Sequence, residues 1–179
     1  MTKNRILLDG AGFDACLERI ANEIARRNPD GERLMIVGIQ AGGVRLAERI
    51  AARLGQSWGR LVPQGVLDIS MHRDDVGDRS TPVMRSTELP GDVAGRTVVL
   101  TDDVIQSGRT TRSALDALND FGRPRRIQLA VMVDRGNREL PIMPDYVGVS
   151  VQTDPNEHVE VRYAEDGGRD EIVATTAAS

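Results

Sequence analysis

Val98-Val99-Leu100-Thr101-Asp102-Asp103-Val104-Ile105-Gln106-Ser107-Gly108-Arg109-Thr110-Thr111 is the stretch whose reading decides the fold. Val98 to Leu100 form a β-branched apolar run suited to a strand covered on both faces. Ser113 to Phe121 repeat apolar residues at helical spacing through Ala114, Leu115, Leu118 and Phe121. The residues between them therefore join a strand end to a helix start, where unpaired N–H groups and the positive end of the helix dipole favour an anion. Ser107, Thr110 and Thr111 add hydroxyl donors, and Gly108 lets the backbone close around a phosphate. Asp102 and Asp103 would repel a phosphate set directly beside them, and in a regular strand they would point to opposite faces. The expectation is that the strand ends at this pair. There the carboxylates can accept hydrogen bonds from vicinal ribose hydroxyls, offset positive charge at an anomeric carbon, or reach magnesium through water. The pattern fits a phosphorylated ribose carrying a leaving group.

Working outward, Asp14 to Arg27 read as an amphipathic helix, Leu34 to Ile39 as a strand and Val44 to Leu54 as a helix with one apolar face. Val66 to Ile69, Ile127 to Val133, Tyr146 to Val151 and Val159 to Tyr163 supply further strands. This alternation predicts an α/β fold, a mainly parallel sheet flanked by helices, with ligands at the strand C-termini. Ala164 to Asp170 and Ala174 to Ser179 read as loose. Met71 to Pro90, with Arg73 and Arg85 among its charges, reads either as a mobile lid or as an exposed loop with solvated charges. Ile39-Gln40-Ala41-Gly42-Gly43 lacks both the Gly-Lys-Ser/Thr ending of a nucleoside-triphosphate loop and the spacing of a dinucleotide fingerprint. Its backbone N–H groups, between strand and helix, suit an anion.

A chain of 179 residues with 40% apolar and 28% charged residues suits a single domain over residues 1–179. Cys16 is its only cysteine, which rules out an internal disulfide or a cysteine metal cluster. With no long apolar run and no signal-peptide core, the expected location is the cytoplasm, without membrane contact. His72 and His158 read as exposed polar residues, because neither has a second ligand at metal spacing.

The strand, paired acids and Ser-Gly-Arg-Thr loop resemble the signature of type I phosphoribosyltransferases, which use phosphoribosyl pyrophosphate (PRPP). Over about Ala15 to Val173 the chain is similar to the PyrR family, pyrimidine operon regulators that double as uracil phosphoribosyltransferases. Supporting stretches are Val37-Gly38-Ile39, Leu67 to Asp75, Gly122-Arg123-Pro124 and, most diagnostic, Gln128 to Ile142 with Asp134-Arg135-Gly136-Asn137-Arg138 at its centre. The resemblance implies the type I phosphoribosyltransferase fold, with a flexible catalytic loop at about 71–90 and a small hood. It implies transfer of ribose 5-phosphate from PRPP to uracil, giving UMP and pyrophosphate, with Mg2+ as cofactor.

Under that resemblance Asp102, Asp103 and Arg73 are catalytic. Ala41, Gly42, Arg85, Asp102, Asp103, Val104, Ile105, Gln106, Ser107, Gly108, Arg109, Thr110 and Thr111 bind PRPP or nucleotide, and Asp102 and Asp103 reach the metal indirectly. Arg135 and the backbone near Val159 line the base pocket; an ordinary ion pair of Arg135 with Asp134 or Glu139 reads equally well. The family's second role implies a pyrimidine-gene leader mRNA as partner, and a homo-oligomer, dimer or higher. Arg19, Arg26 and Arg27 on the first helix, and Arg123, Arg125 and Arg126 before a strand, are candidate RNA contacts. A solvated helix face explains them as well, and the net charge of −4 opposes a uniformly basic surface. The chain departs from the family where Ala41-Gly42 replaces Thr-Arg or Thr-Gly, where Asn137 replaces a histidine, and at Asp154-Pro155-Asn156. An RNA-binding attenuator with little catalysis, or an enzyme for another base, stay open as alternatives.

Overall fold

The computed structural model describes residues 3–72, 86–154 and 156–176. In chain order the elements are β1 (Lys3–Leu8), α1 (Gly10–Arg27), β2 (Leu34–Ile39), α2 (Gly43–Trp58), β3 (Gln64–Leu67), β4 (Thr97–Ile105), α3 (Arg109–Asn119), β5 (Arg126–Asp134), β6 (Tyr146–Ser150), β7 (Glu157–Arg162) and β8 (Glu171–Thr176). β3, β2, β4, β5 and β6 form, in that order, a sheet whose pairs are all parallel. β2 is buried at all six positions, as a parallel strand covered on both faces requires.

Strand alternation sorts this sheet into two cores. Ile36, Val99 and Met132 pack on one face with Leu17, Ile20, Leu46 and Ile50 of α1 and α2. Met35, Val37, Val98, Leu100 and Val131 pack on the other with Ala114, Ala117 and Leu118 of α3. β1, β8 and β7 form a separate antiparallel sheet, the hood, with β8 in the middle. Val159, Val161, Tyr163 and Ile172 carry it into the α1–α2 core.

Some boundaries differ from the expectation for identifiable reasons. α1 begins at Gly10, four residues early, because Asp9 caps it: its Oδ1 accepts the Gly12 N–H at 3.0 Å. β4 does not end at Asp102. Its ladder with β5 runs on to Ile105↔Asp134, whereas its ladder with β2 stops at Gly38↔Thr101, so the carboxylates lie where the strand is paired on the β5 side only. Residues 174–176 are not loose: they belong to β8, and Ala174 is buried between Arg5 of β1 and Val159 of β7. Residues 164–170 are ordered too, since a 3₁₀ turn at Ala164–Asp166 is clamped by α2, where Arg45 meets Asp166 at 3.0 Å and Arg49 pairs with Glu165 and Asp170.

Arg73 and Arg85, with most of the segment read as a lid, lie outside the described residues. Within its described end, Glu88 bridges to Val66 by two backbone bonds of 2.8 and 2.9 Å. His72 is less exposed than expected, with its ring nitrogen 3.1 Å from Asp120. Among the described residues no helix is long and apolar enough to cross a membrane.

Candidate active site

The C-terminal edge of the parallel sheet, the start of α3 and the β7 strand of the hood surround a cavity of about 470 Å3. Asp102, Asp103, Val104, Ile105, Gln106, Ser107, Gly108, Thr110 and Thr111 line it from one side, and Arg135, His158, Val159 and Glu160 from the other. Every residue assigned from the sequence to the phosphate loop borders this space except Arg109, which turns aside to pair with Glu139 at 2.7 Å.

The cradle is shaped by Gly108, whose φ of 90° and ψ of −2° place it in the left-handed region at the N-cap of α3. The N-cap residue itself has no side chain, and Ser107 Oγ accepts the Arg109 N–H at 3.3 Å, so the start of α3 and the Ser107 hydroxyl together present donors to an anion. Thr111 Oγ1 is buried without a hydrogen-bond partner among the described residues, which is the condition of a group waiting for a ligand.

The carboxylates are held by their own backbone. Asp102 Oδ1 accepts the Asp103 N–H at 3.0 Å, and Asp103 Oδ1 accepts the Val104 N–H at 2.7 Å. Asp102 is buried and Asp103 half-buried. The turn before α2 lies directly against them: a Cβ placed on Gly42 would sit 2.2 Å from Asp103 Cγ, and one on Gly43 would sit 1.9 Å from the Thr101 carbonyl oxygen. The Thr101 hydroxyl donates to Gly43 O at 2.7 Å, fixing this approach. The two loops found separately in the sequence thus meet, with Gly42 against Asp103. Ala41 is exposed beside them and outside the cavity lining.

Arg135 does not form the surface ion pair that the sequence allowed. It is buried, and its Nε donates to Thr153 Oγ1 at 3.0 Å, Nη1 to Gln106 Oε1 at 3.1 Å and Nη2 to Glu157 O at 2.8 Å and Asp154 O at 3.4 Å. These bonds tie Arg135 to the cradle at Gln106 and to the residues that lead into and open β7.

Asp134 is taken instead by Arg138, at 2.7 Å. Burial alone would raise the Asp134 carboxyl; the Arg138 guanidinium and the Gly136 N–H outweigh it and leave the group below its usual value. Arg138 also donates to Gln106 O at 3.0 Å and Ile142 O at 2.9 Å, while the Glu139 and Leu140 N–H groups donate to Ser107 O. Residues 134–142 are thus a shelf under the phosphate loop. Sequence reasoning missed Arg138, and nothing in the spacing distinguishes it from Arg135. It also missed His158 and Glu160, which line the cavity although solvent-exposed. Asn137 adopts a φ of 55°, a left-handed conformation that asparagine tolerates.

Among the described residues no three His, Cys, Asp or Glu side chains group as a metal cage. Arg19 and Arg27 face β6: Arg19 donates to Val147 O at 3.0 Å and to Gly148 O, and Arg27 lies 4.9 Å from the centre of the Tyr146 ring. Arg26 is exposed.

A phosphoribosyl transferase domain family matches residues 5–166. Among solved structures, the chain is similar to a hypoxanthine-guanine phosphoribosyltransferase from Bacillus anthracis, with a TM-score of 0.72 and 16% identity over 99% of both chains. It is also similar to the hypoxanthine phosphoribosyltransferase of Trypanosoma cruzi, with a TM-score of 0.72 and 16% identity over 95% of both. These likenesses establish the type I phosphoribosyltransferase fold and no more. Curated relatives called bifunctional protein PyrR are far nearer in sequence. That of Pelotomaculum thermopropionicum is 51% identical over 96% of each chain, and that of Streptomyces coelicolor is 50% identical over 94% of this chain and 88% of its own. With the cradle, the paired acids and Arg135 around one cavity and the 134–142 shelf beneath the cradle, the chain belongs to the phosphoribosyl transferase family and, within it, to the PyrR family.

Proposed function

We infer that this protein is a uracil phosphoribosyltransferase that forms UMP and pyrophosphate from uracil and PRPP. The observation that carries this reading is the meeting of a helix start at Gly108, a buried Thr111 hydroxyl with no partner among the described residues and two adjacent carboxylates around one cavity. In the reaction the C1–oxygen bond to pyrophosphate breaks and a bond from C1 to a uracil ring nitrogen forms, with loss of that nitrogen's proton. Ser107 to Thr111 anchor the 5-phosphate, so C1 is brought to a fixed point beside the acids. Asp102 and Asp103 bind the ribose hydroxyls and stabilise the positive charge that develops as the leaving group departs.

The backbone of the turn at Ala41 and Gly42 faces the pyrophosphate, and Arg73 and Arg85 are assigned to its charge. Asp102 and Asp103, which belong to no group of three such side chains among the described residues, would suit a magnesium ion bound mainly by pyrophosphate and water, and such an ion would disperse charge on the leaving group. Arg135 and the Val159 backbone meet the base.

Nucleotide formation from PRPP, measured side by side with uracil, orotate, hypoxanthine and adenine, tests this. Uracil is expected to give the highest kcat/KM. A preference for another base overturns the base assignment, and no turnover with any of them overturns the enzyme.

The cradle makes a separate prediction. Ser107→Ala combined with Thr110→Ala removes two hydroxyl donors to a dianion, each worth roughly 1.5–3 kcal/mol, so PRPP and UMP should bind more weakly while free uracil changes little. Calorimetry with the three ligands checks it; equal losses for all three would mean damage to the fold instead.

Membership of a family named bifunctional supports a second role as a UMP-responsive regulator that binds pyrimidine-gene leader RNA. With Arg19 and Arg27 occupied by β6, Arg26 is the member of the first-helix set best disposed to a phosphate. A cytoplasmic location suits both roles, and a homo-oligomer suits the exposed Leu61 beside Val62 and Pro63.

A further inference from the structure

Arginines from three separate stretches of the chain meet at the end of the parallel sheet that faces away from the cavity. Arg33 precedes β2, Arg96 precedes β4, Arg123 and Arg125 lead into β5, and Arg126 opens it. β2, β4 and β5 are parallel neighbours, so their first residues stand side by side at about 4.8 Å per strand. The backbone fixes this gathering. The Thr97 N–H donates to Arg33 O at 3.0 Å, the Arg125 N–H to Arg96 O at 2.8 Å and the Gly95 N–H to Arg123 O at 3.1 Å, while Arg126 lies opposite Thr97 in the ladder.

Elsewhere the arginines of this acidic chain are matched with carboxylates: Arg45 with Glu48 and Asp166, Arg109 with Glu139, and Arg162 with Glu160 and Glu171. Among the described residues none of the five at the sheet base forms an ion pair. Arg96 Nε donates to Asp92 O at 2.8 Å and Arg125 Nη2 to Thr97 Oγ1 at 3.3 Å, both neutral acceptors. Arg33, Arg123, Arg125 and Arg126 are exposed and Arg96 half-buried. The acids at hand are Asp30 and Glu32, which share a cavity of about 250 Å3 with Arg33 and Arg125, and Asp92, whose Oδ1 accepts the Ala94 N–H at 2.8 Å. Unmatched like charges held this close repel one another, so the row gains when a polyanion lies across it.

We propose that this row is a surface on which RNA is held by its phosphate backbone. A guanidinium offers phosphate paired N–H donors and sheds its water readily. A row across three strands meets successive phosphates of one chain, whereas the cavity beside it carries two carboxylates and does not suit a free anion. The inference rests on the regulatory reading above and places the salt dependence at the sheet base, since Arg19 and Arg27 are occupied by β6. Arg96 and Asp103 lie near opposite ends of β4, roughly 20 Å apart, so RNA on the row leaves the catalytic cavity open.

Binding of a pyrimidine-gene leader transcript, measured with UMP over a range of salt, tests the proposal. Changing Arg33, Arg125 and Arg126 together to alanine should lower the slope of log affinity against log salt by about 2, at about 0.7 per lost contact to a single strand, with UMP formation within about twofold of native. The same three positions changed to lysine should keep most of the slope, because the charges remain. A native slope in the alanine variant, or a lysine variant as impaired as the alanine one, overturns the proposal while leaving the regulatory reading intact. If the native protein binds no leader transcript even at low salt, the regulatory reading fails and the proposal with it. Binding of the native protein to phosphatidylserine vesicles but not to RNA, lost in the alanine variant, would give the row to a membrane surface and overturn it as well.

Discussion

Asp103→Asn is expected to lower turnover of PRPP and uracil by about 100- to 1,000-fold while leaving the fold intact, the usual effect of removing one preorganised electrostatic contact to a transition state. Asparagine has the shape of aspartate, and its side-chain oxygen can keep the Val104 N–H bond of 2.7 Å. Only the charge is lost. That charge matters most when the C1–oxygen bond is nearly broken and the ribose carries positive charge, so kcat should fall much more than KM for PRPP rises. Steady-state rates at saturating uracil, with a thermal melt as control, measure both. Turnover close to native would remove Asp103 from the mechanism.

Gly43→Ala is expected to act through the fold instead. A Cβ at this position falls 1.9 Å from the Thr101 carbonyl oxygen and 2.8 Å from its carbon, so the obstacle is the backbone of β4 and cannot rotate away. α2 must back off from the central strand, and the 2.7 Å bond from the Thr101 hydroxyl to Gly43 O goes with it. Overpacking of about 1–3 kcal/mol plus about 1 kcal/mol for the bond should lower Tm on the order of 10 °C in a chain of this size. A melt within about 2 °C of native would show that the approach of α2 to β4 is not rigid. Because Gly42 abuts Asp103 in the same turn, activity should fall in step with stability.

Much of this was legible in the sequence because it depends on local pattern. Leu34 to Ile39 is an uninterrupted apolar run, and its predicted limits are those of β2. The cradle from Ser107 to Thr111 combines a glycine, hydroxyls and a helix start within a few residues, and the structure gathers all but Arg109 around one cavity. What could not be read depends on partners far away in the chain. β1 begins Lys3-Asn4-Arg5 and has little apolar pattern; it is a strand because β8 lies alongside it. The turn at 164–166 is acidic and followed by glycines, the mark of a loose segment, yet Arg45 and Arg49, one helical turn apart on α2, hold it. That Arg138 and not Arg135 pairs with Asp134 goes with distant partners, since Arg135 is held by Gln106, Thr153 and Glu157 instead.

The arrangement of the hood also sets an order of events during synthesis. β8 is translated after every other described element, yet it is the middle strand, with β1 on one side and β7 on the other. A nascent chain that has just released β7 from the ribosome can already pair β2, β4, β5 and β6 and close α3 over them, because those contacts join near neighbours in the sequence. Its first strand and its seventh have nothing between them. The pairing Arg5↔Ala174 spans nearly the whole chain, and closing so large a loop is slow compared with the local steps. The wall of the cavity that carries Val159 is therefore finished last, after the cradle it covers is in place.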